Sequence, residues 1–178
     1  MKKVLFLCLC IMIFLSGCEV KKMEEVTSAD TFSREYSVPR NNPFVYAKLD
    51  EVYDLLENGT GIIFFGNSDC EVCNVGAQVL TDVLIKNDID KAYYYNPKKI
   101  IDENDKDYKK LINLINDSTS EEIEFDIPCV MVIKEGNIVS YNNELVELKE
   151  EDMDLVLDDN TKKDLRNSYN KMIKEFNK

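Results

Sequence analysis

Histidine is missing from this chain of 178 residues, and its absence limits the chemistry that the protein can perform. It excludes Ser-His-Asp hydrolysis and Cys-His proteolysis, because both reactions use an imidazole as the general base. It also excludes the zinc and haem sites that need a histidine ligand. Any reaction on this chain must therefore use thiols and carboxylates, and the chain carries 6 cysteines.

Basic residues are scarce relative to acidic ones. The chain has 22 lysines and arginines against 34 aspartates and glutamates, which gives a net charge of −12. Such a surface opposes binding to nucleic acids and to anionic lipid headgroups, since both carry negative charge. The acids are spread over predicted helix faces and loops, where they indicate a solubilising surface. We therefore expect no nucleic-acid partner.

The N-terminal apolar run, residues 4–14, is too short to span a bilayer. Two lysines precede it, and this pattern is typical of an export signal. The run ends in Leu15-Ser16-Gly17-Cys18, which resembles the bacterial lipobox. The resemblance implies cleavage before Cys18 and a diacylglyceryl group on its sulfur. We therefore predict a lipoprotein signal peptide over residues 1–17 and a protein anchored through its lipid on the extracytoplasmic face of the cell membrane. The alternative is an ordinary secretory signal in which Cys18 is incidental.

The remainder of the chain divides into a polar segment and one domain. Residues 18–42 lack a sustained apolar period, which predicts a flexible tether. Residues 43–178 alternate between strand and helix periods, which predicts a single α/β domain. The expected order is β-α-β-α-β-α-β-β-α, at 44–46, 49–56, 61–65, 70–84, 91–95, 108–115, 128–133, 138–141 and 165–176. Asn160 or Thr161 is expected to cap the last helix.

Two cysteines separated by two residues, Cys70 and Cys73, follow an apolar strand and open a helical pattern. At a helix N-terminus the macrodipole and the free N–H groups stabilise a thiolate, and the thiolate is the nucleophile. We predict that Cys70 is exposed and attacks a substrate, and that Cys73, one turn inward, resolves the mixed disulfide. Ser68 or Asp69 is expected to cap this helix. The alternative is an inert structural disulfide.

Ile127 and Pro128 stand at the entry to the predicted hairpin, and Cys129 follows them. A proline there, downstream of a CxxC pair, resembles the cis-proline of the thioredoxin superfamily. The resemblance implies that Ile127 offers backbone groups to an extended substrate segment and that Pro128 forms a wall beside the thiols. The alternative is a trans proline at a strand start. Cys129 is interpreted as a small buried apolar residue, with a third thiol near Cys70 as the alternative. No metal site and no cofactor are predicted, because a fourth ligand is missing.

From residue 42 onward the chain resembles the thioredoxin-like lipoproteins of Gram-positive bacteria, often described as bacteriocin-transport-accessory-like. The resemblance rests on residues 15–18, 61–66, 70–73, 94–96, Pro128 and 134–137. It implies a thioredoxin-like α/β fold, with a central mixed sheet flanked by helices. It also implies a membrane-anchored thiol-disulfide oxidoreductase that acts on exported proteins carrying thiols or disulfides. The alternative function is a non-catalytic binding or accessory lipoprotein in which the CxxC pair is a structural disulfide.

Three positions depart from the pattern of thioredoxins. Asp69 stands where thioredoxins carry tryptophan, and Glu71-Val72 replaces the Gly-Pro between their cysteines. Phe64 stands where thioredoxins bury an aspartate that accepts the proton of the inner thiol, so proton transfer here would use water or another carboxylate. The two acids beside the outer thiol oppose a second negative charge, which predicts a pair that is not strongly oxidising.

Overall fold

A mixed sheet of five strands forms the centre of the protein in the computed structural model, which describes residues 26–103, 106–121, 123–143, 149–151, 154–156 and 158–178. The predicted signal peptide over residues 1–17 and the predicted lipidation site Cys18 lie outside the described residues. The helices are α1 (Ser28–Tyr36), α2 (Leu49–Asn58), α3 (Glu71–Lys86), α4 (Lys98–Glu103), α5 (Lys106–Asp117) and α6 (Asp159–Phe176). The strands are β1 (Phe44–Tyr46), β2 (Gly61–Phe65), β3 (Ala92–Tyr95), β4 (Cys129–Lys134), β5 (Asn137–Asn142), β6 (Lys149–Glu151) and β7 (Asp154–Val156).

The strand order in the main sheet is β1-β3-β2-β4-β5. β1 pairs with β3 and β3 pairs with β2 in parallel, whereas β4 runs antiparallel to both β2 and β5. All five residues of the central strand β2 are buried, as its unbroken apolar run predicts. The predicted α/β class, with a central mixed sheet flanked by helices, is confirmed.

Alternate residues of the central strands face opposite sides of the sheet, and each side has its own apolar core. Ile62 and Phe64 of β2 pack in a cluster with side chains of α1, α3 and α6, and we call this side the α3 face. Ile63 and Phe65 pack in a second cluster with side chains of α2, α4 and α5, and we call this side the α5 face. The sheet therefore separates two cores, and the register of a strand decides which core receives a side chain.

The prediction of a flexible tether over residues 18–42 is wrong for the part that the structure describes. Residues 28–36 form α1, and Phe32 and Tyr36 on this helix are 0% and 1% exposed. Thr27 caps the helix: its hydroxyl oxygen accepts from the Asp30 N–H at 3.1 Å, and the Asp30 carboxylate accepts from the Thr27 N–H at 3.2 Å. A helix this short has little stability in isolation, so packing against the core is what stabilises it. Two apolar residues four positions apart were too weak a period to indicate it.

The nine predicted elements are all present, and the structure adds others. α4 and the two-stranded β6–β7 ladder were not predicted. Asn160 and Thr161 do not cap α6. Its cap is Asp158, whose carboxylate accepts from the Asn160 and Thr161 N–H groups at 3.0 and 3.2 Å.

Within the described ranges, none of the helices has the length and apolar character needed to cross a membrane.

Candidate functional site

The loop of residues 66–70 connects β2 to α3 and carries the first cysteine of the pair. Cys70 is itself the N-cap of α3, and its sulfur accepts a hydrogen bond from the Cys73 N–H at 3.2 Å. The expectation that Ser68 or Asp69 caps this helix is therefore wrong. The reason is a turn in which the Cys70 N–H donates to the Asn67 carbonyl at 3.0 Å, because this turn delays the start of the helix.

The two cysteines differ in exposure as predicted. Cys70 is partly exposed, whereas Cys73 is 0% exposed and lies in the core of the α3 face. Burial raises the pKa of the Cys73 thiol to about 12, and the hydrogen bond and charge of Cys70 act in the same direction. The backbone N–H groups of Asn67 and of Cys73 itself lower the pKa of Cys73, but less than burial raises it. Cys73 is therefore a protonated thiol at neutral pH.

Asn67 organises the loop, although it was not predicted as a site residue. Its side chain is buried, and its side-chain oxygen accepts from the Asp69 N–H at 3.1 Å and from the Asn96 amide at 3.4 Å. The Asn74 amide also donates to the Ser68 carbonyl at 2.9 Å, which ties the loop to the first turn of α3. An asparagine directly after a buried strand is a recognised turn former, and that local signal could have indicated its role.

Ile127 and Pro128, the predicted substrate-binding residues, lie beside α3. The peptide bond between them is cis, as predicted, and Pro128 is buried while Ile127 is partly buried. A Cβ built on Gly76 would lie 3.6 Å from the Pro128 Cβ and 3.4 Å from the Tyr169 hydroxyl. These are ordinary van der Waals distances, so the segment packs closely on α3 one turn beyond Cys73 and leaves space for no more than a small side chain at position 76.

Cys129 lies on the other side of the sheet. It is 0% exposed, pairs with Phe65 across β2 and β4, and belongs to the core of the α5 face, whereas Cys73 belongs to the α3 face. Burial raises the pKa of the Cys129 thiol. Its interpretation as a small buried apolar residue is therefore confirmed. Over the ranges that the structure describes, cysteine, aspartate and glutamate side chains form no cluster of three or more able to hold a metal ion.

A hydrogen-bonded pair of tyrosines lies behind the loop on the α3 face. The Tyr36 hydroxyl donates to the Tyr94 hydroxyl at 3.0 Å, and the Tyr94 hydroxyl donates to the Gly66 carbonyl at 3.3 Å. Both side chains are buried in the same core as Cys73. Neither tyrosine was predicted to lie near the thiols.

The arrangement as a whole places one accessible thiol at a helix N-terminus, one buried thiol behind it, and a proline-containing segment at the side. A thiol in the first position can be attacked or can attack, because reagents reach it and the Cys73 N–H donates to its sulfur. A thiol in the second position can react only with a group that is already bound to the first.

No protein-family model matches this chain, and no match to it was found among the curated proteins.

Proposed function

We propose that this protein is a thiol-disulfide oxidoreductase with a thioredoxin-like fold, and that Cys70 and Cys73 are its reactive pair. One observation carries the proposal: the partly exposed Cys70 sulfur caps α3 and accepts the N–H of the buried Cys73. The assignment of the fold is supported by the strand order β1-β3-β2-β4-β5 and by the thiol pair between β2 and α3.

The proposed reaction is a thiol-disulfide exchange in two steps. The Cys70 thiolate attacks one sulfur of a substrate disulfide, forms a mixed disulfide and releases the other substrate sulfur as a thiolate. Cys73 then loses its proton to solvent and attacks the Cys70 sulfur, which closes the Cys70-Cys73 disulfide and releases the second substrate thiolate. The substrate gains two electrons and the cysteine pair loses them.

The electrostatics of the pair favour this order of events. Burial is the main cause of the raised pKa of Cys73, and the charge of Cys70 adds to it. When the Cys70 sulfur enters a mixed disulfide it no longer carries a negative charge, so this contribution to the pKa of Cys73 is removed. The inner thiol therefore becomes easier to deprotonate at the step that needs it.

The proposed substrates are exported proteins that carry thiols or disulfides. Ile127 is partly buried at the start of the β4 segment, and we assign its backbone groups to an extended stretch of substrate. Pro128 would bound that stretch on the side of α3, where it lies close to the Gly76 position.

We further propose that the protein is held at the membrane through a lipid on Cys18. Cys18→Ala should release the protein from membranes or leave an unprocessed precursor, and unchanged processing would contradict the anchor.

Reduction of insulin disulfides by dithiothreitol tests the proposed activity. The wild-type protein should accelerate the reaction, Cys70→Ser should abolish the acceleration, and Cys73→Ala should accumulate a mixed disulfide that identifies the partner. Cys129→Ala is the matched control, since this thiol is buried on the opposite face. In the alternative, the protein is a non-catalytic lipoprotein in which the buried Cys73 forms a structural disulfide with Cys70. That alternative predicts no acceleration and a reduction potential below about −300 mV.

A further inference from the structure

A groove of about 840 Å³ lies between α5 and the segment that leads into the cis-proline. Side chains from residues 108–116 of the helix line one side of it, and residues 123–126 line the other. Ile112, Ile123 and Phe125 supply its apolar lining. We call this feature the α5 groove. An apolar side chain of a partner that enters it loses contact with water, which favours binding.

The α5 groove is joined to the thiol site through Phe125 and Ile127. The Phe125 ring meets the Phe65 ring edge to face at 5.1 Å between centroids, and Phe65 is the last residue of β2 before the thiol loop. Ile127 packs against the cores on both faces of the sheet, and Cys70 packs against the core of the α3 face. Four residues of extended chain cover about 13 Å. A polypeptide that exchanges with Cys70 can therefore reach the groove with a residue about four positions from its own cysteine.

Residues 123–126 present apolar and acidic side chains in alternation. Ile123 and Phe125 are 4% and 9% exposed, whereas Glu124 and Asp126 are exposed to solvent. A period of two is typical of an extended chain. The Asn143 amide donates to the Glu124 carbonyl at 2.5 Å, which ties the segment to the end of β5. The apolar pair therefore faces inward while the two carboxylates stand on the outer side.

The surface from the groove to the outer thiol is mainly negative. Glu124 and Asp126 line the groove, Asp69 and Glu71 flank the outer thiol in the chain, and all four residues are exposed. Among the described residues that line the groove, Lys109 is the one cation. Such a distribution of charge attracts a partner that carries lysine or arginine and repels an acidic one.

We propose that the α5 groove selects the substrate: it receives an apolar side chain of an extended polypeptide, about four positions from the reacting cysteine, with lysine or arginine on both sides of that apolar residue. The apolar lining accounts for the apolar residue, and the carboxylates account for its basic neighbours. This inference rests on the proposed function, because it needs Cys70 to exchange with a disulfide of the partner.

Peptides whose cysteine is activated as a mixed disulfide with nitrothiobenzoate test the selection. The Cys70 thiolate attacks the peptide sulfur, the disulfide breaks, and nitrothiobenzoate leaves with the bonding electrons as a coloured thiolate. Stopped-flow absorbance of the purified full chain records its release, and Cys70→Ser gives the background from other cysteines. Activated N-acetylcysteine amide has no residue that can enter the groove, so it reports the reactivity of Cys70 alone.

The test peptide carries Lys-Leu-Lys centred about four positions from its cysteine, before it in one version and after it in another. The faster version should react about threefold to tenfold faster than a peptide with glutamate in place of both lysines, and this difference should shrink in about 0.5 M salt. A peptide with serine in place of leucine should also react about threefold to tenfold more slowly, because it buries less apolar surface.

Two matched pairs of variants locate the selection. Glu124→Gln combined with Asp126→Asn should remove most of the preference for lysine and leave the rate of N-acetylcysteine amide unchanged. Asp54→Asn combined with Asp90→Asn is the control, because it removes the same charge from exposed positions outside the groove.

The second pair addresses the apolar lining. Ile112→Ala should slow the leucine peptide and leave the serine peptide unchanged. Leu114→Ala is its control, because Leu114 is also a partly buried residue of α5 but does not line the groove. If Ile112→Ala does not fold, the carboxylate pair decides, since its side chains are exposed.

Four results would overturn the inference: equal rates for the lysine and glutamate peptides, equal rates for the leucine and serine peptides, equal loss of preference in a control variant, or slowing of N-acetylcysteine amide by the loss of Glu124 and Asp126. A chain that sediments as a dimer and reacts more slowly with the peptide as protein concentration rises would place a second copy in the groove and overturn it too. Rapid reaction of the wild-type protein with N-acetylcysteine amide and no preference among peptides contradicts this inference alone. A protein that reacts with none of these reagents and does not reduce insulin contradicts the proposed function as well.

Discussion

Replacement of Phe32 by alanine tests whether α1 is part of the core or part of a tether. The Phe32 ring is 0% exposed and stacks on Phe44 with 4.0 Å between centroids. It also contacts the rings of Tyr36 and Tyr94, at 4.5 and 5.1 Å between centroids. The substitution therefore removes the central member of an aromatic group on the α3 face and leaves a cavity.

Truncation of a buried phenylalanine to alanine lowers the free energy of unfolding by about 3–5 kcal/mol. We expect a value of about 3 kcal/mol for Phe32→Ala, at the lower end of this range, because α1 is a short helix of 9 residues that can shift toward the cavity. Since small domains are stable by only about 5–15 kcal/mol, the variant should fold but unfold at much lower denaturant. Urea denaturation followed by circular dichroism measures the change.

Val26→Ala is the matched control, since this apolar side chain precedes the cap of α1 and is 60% exposed. It should change the free energy of unfolding by less than about 0.5 kcal/mol. A Phe32→Ala variant that also stays within about 0.5 kcal/mol of wild type would refute the packing of α1 and restore the tether boundary at residue 42.

Three further perturbations address the site and the cap of α1. Exchanging Asp69 and Glu71 for their amides removes two negative charges that flank Cys70 in the chain, and a less negative site is easier to reduce. Redox titration should show a potential raised by tens of millivolts, where ~30 mV corresponds to ~1.4 kcal/mol, and an unchanged potential contradicts the charge effect. Gly76→Ala should be tolerated, because its Cβ meets only ordinary contacts, whereas Gly76→Val should be destabilised by about 1–3 kcal/mol in urea denaturation; equal stability of the two would disprove the close packing. Hydrogen bonds from Thr27 lower the pKa of Asp30, so the stability contributed by this cap is present above the unfolded pKa of about 3.9 and is lost as pH falls through the lower folded pKa. Proteolysis near α1 should accelerate in that acidic range in wild type, and Asp30→Asn should remove this pH dependence.

Several parts of this protein follow from short stretches of sequence. The unbroken apolar run of residues 61–65 predicted a strand buried on both faces, and β2 is the central strand. The helical period after Cys70 predicted α3 and the greater burial of Cys73. The strand and the helix depend on neighbouring residues and on the period of a single element, so local patterns are sufficient to indicate them. The cis bond at Pro128 was expected from a resemblance instead, which combines the proline before β4 with the CxxC pair far upstream.

Other parts depend on residues that are far apart in the chain. The apolar residues around Phe32 are too few to predict a helix from the sequence. α1 forms because the Phe32 ring packs on the rings of Phe44 and Tyr94. The face that receives Cys129 is set by the register of β4 on β2, which no local period reveals. The link from Tyr94 to the thiol loop through Gly66 joins two strands that meet only in the folded sheet. Folding is needed to create these contacts, because each one joins groups brought together by the packing of the whole domain.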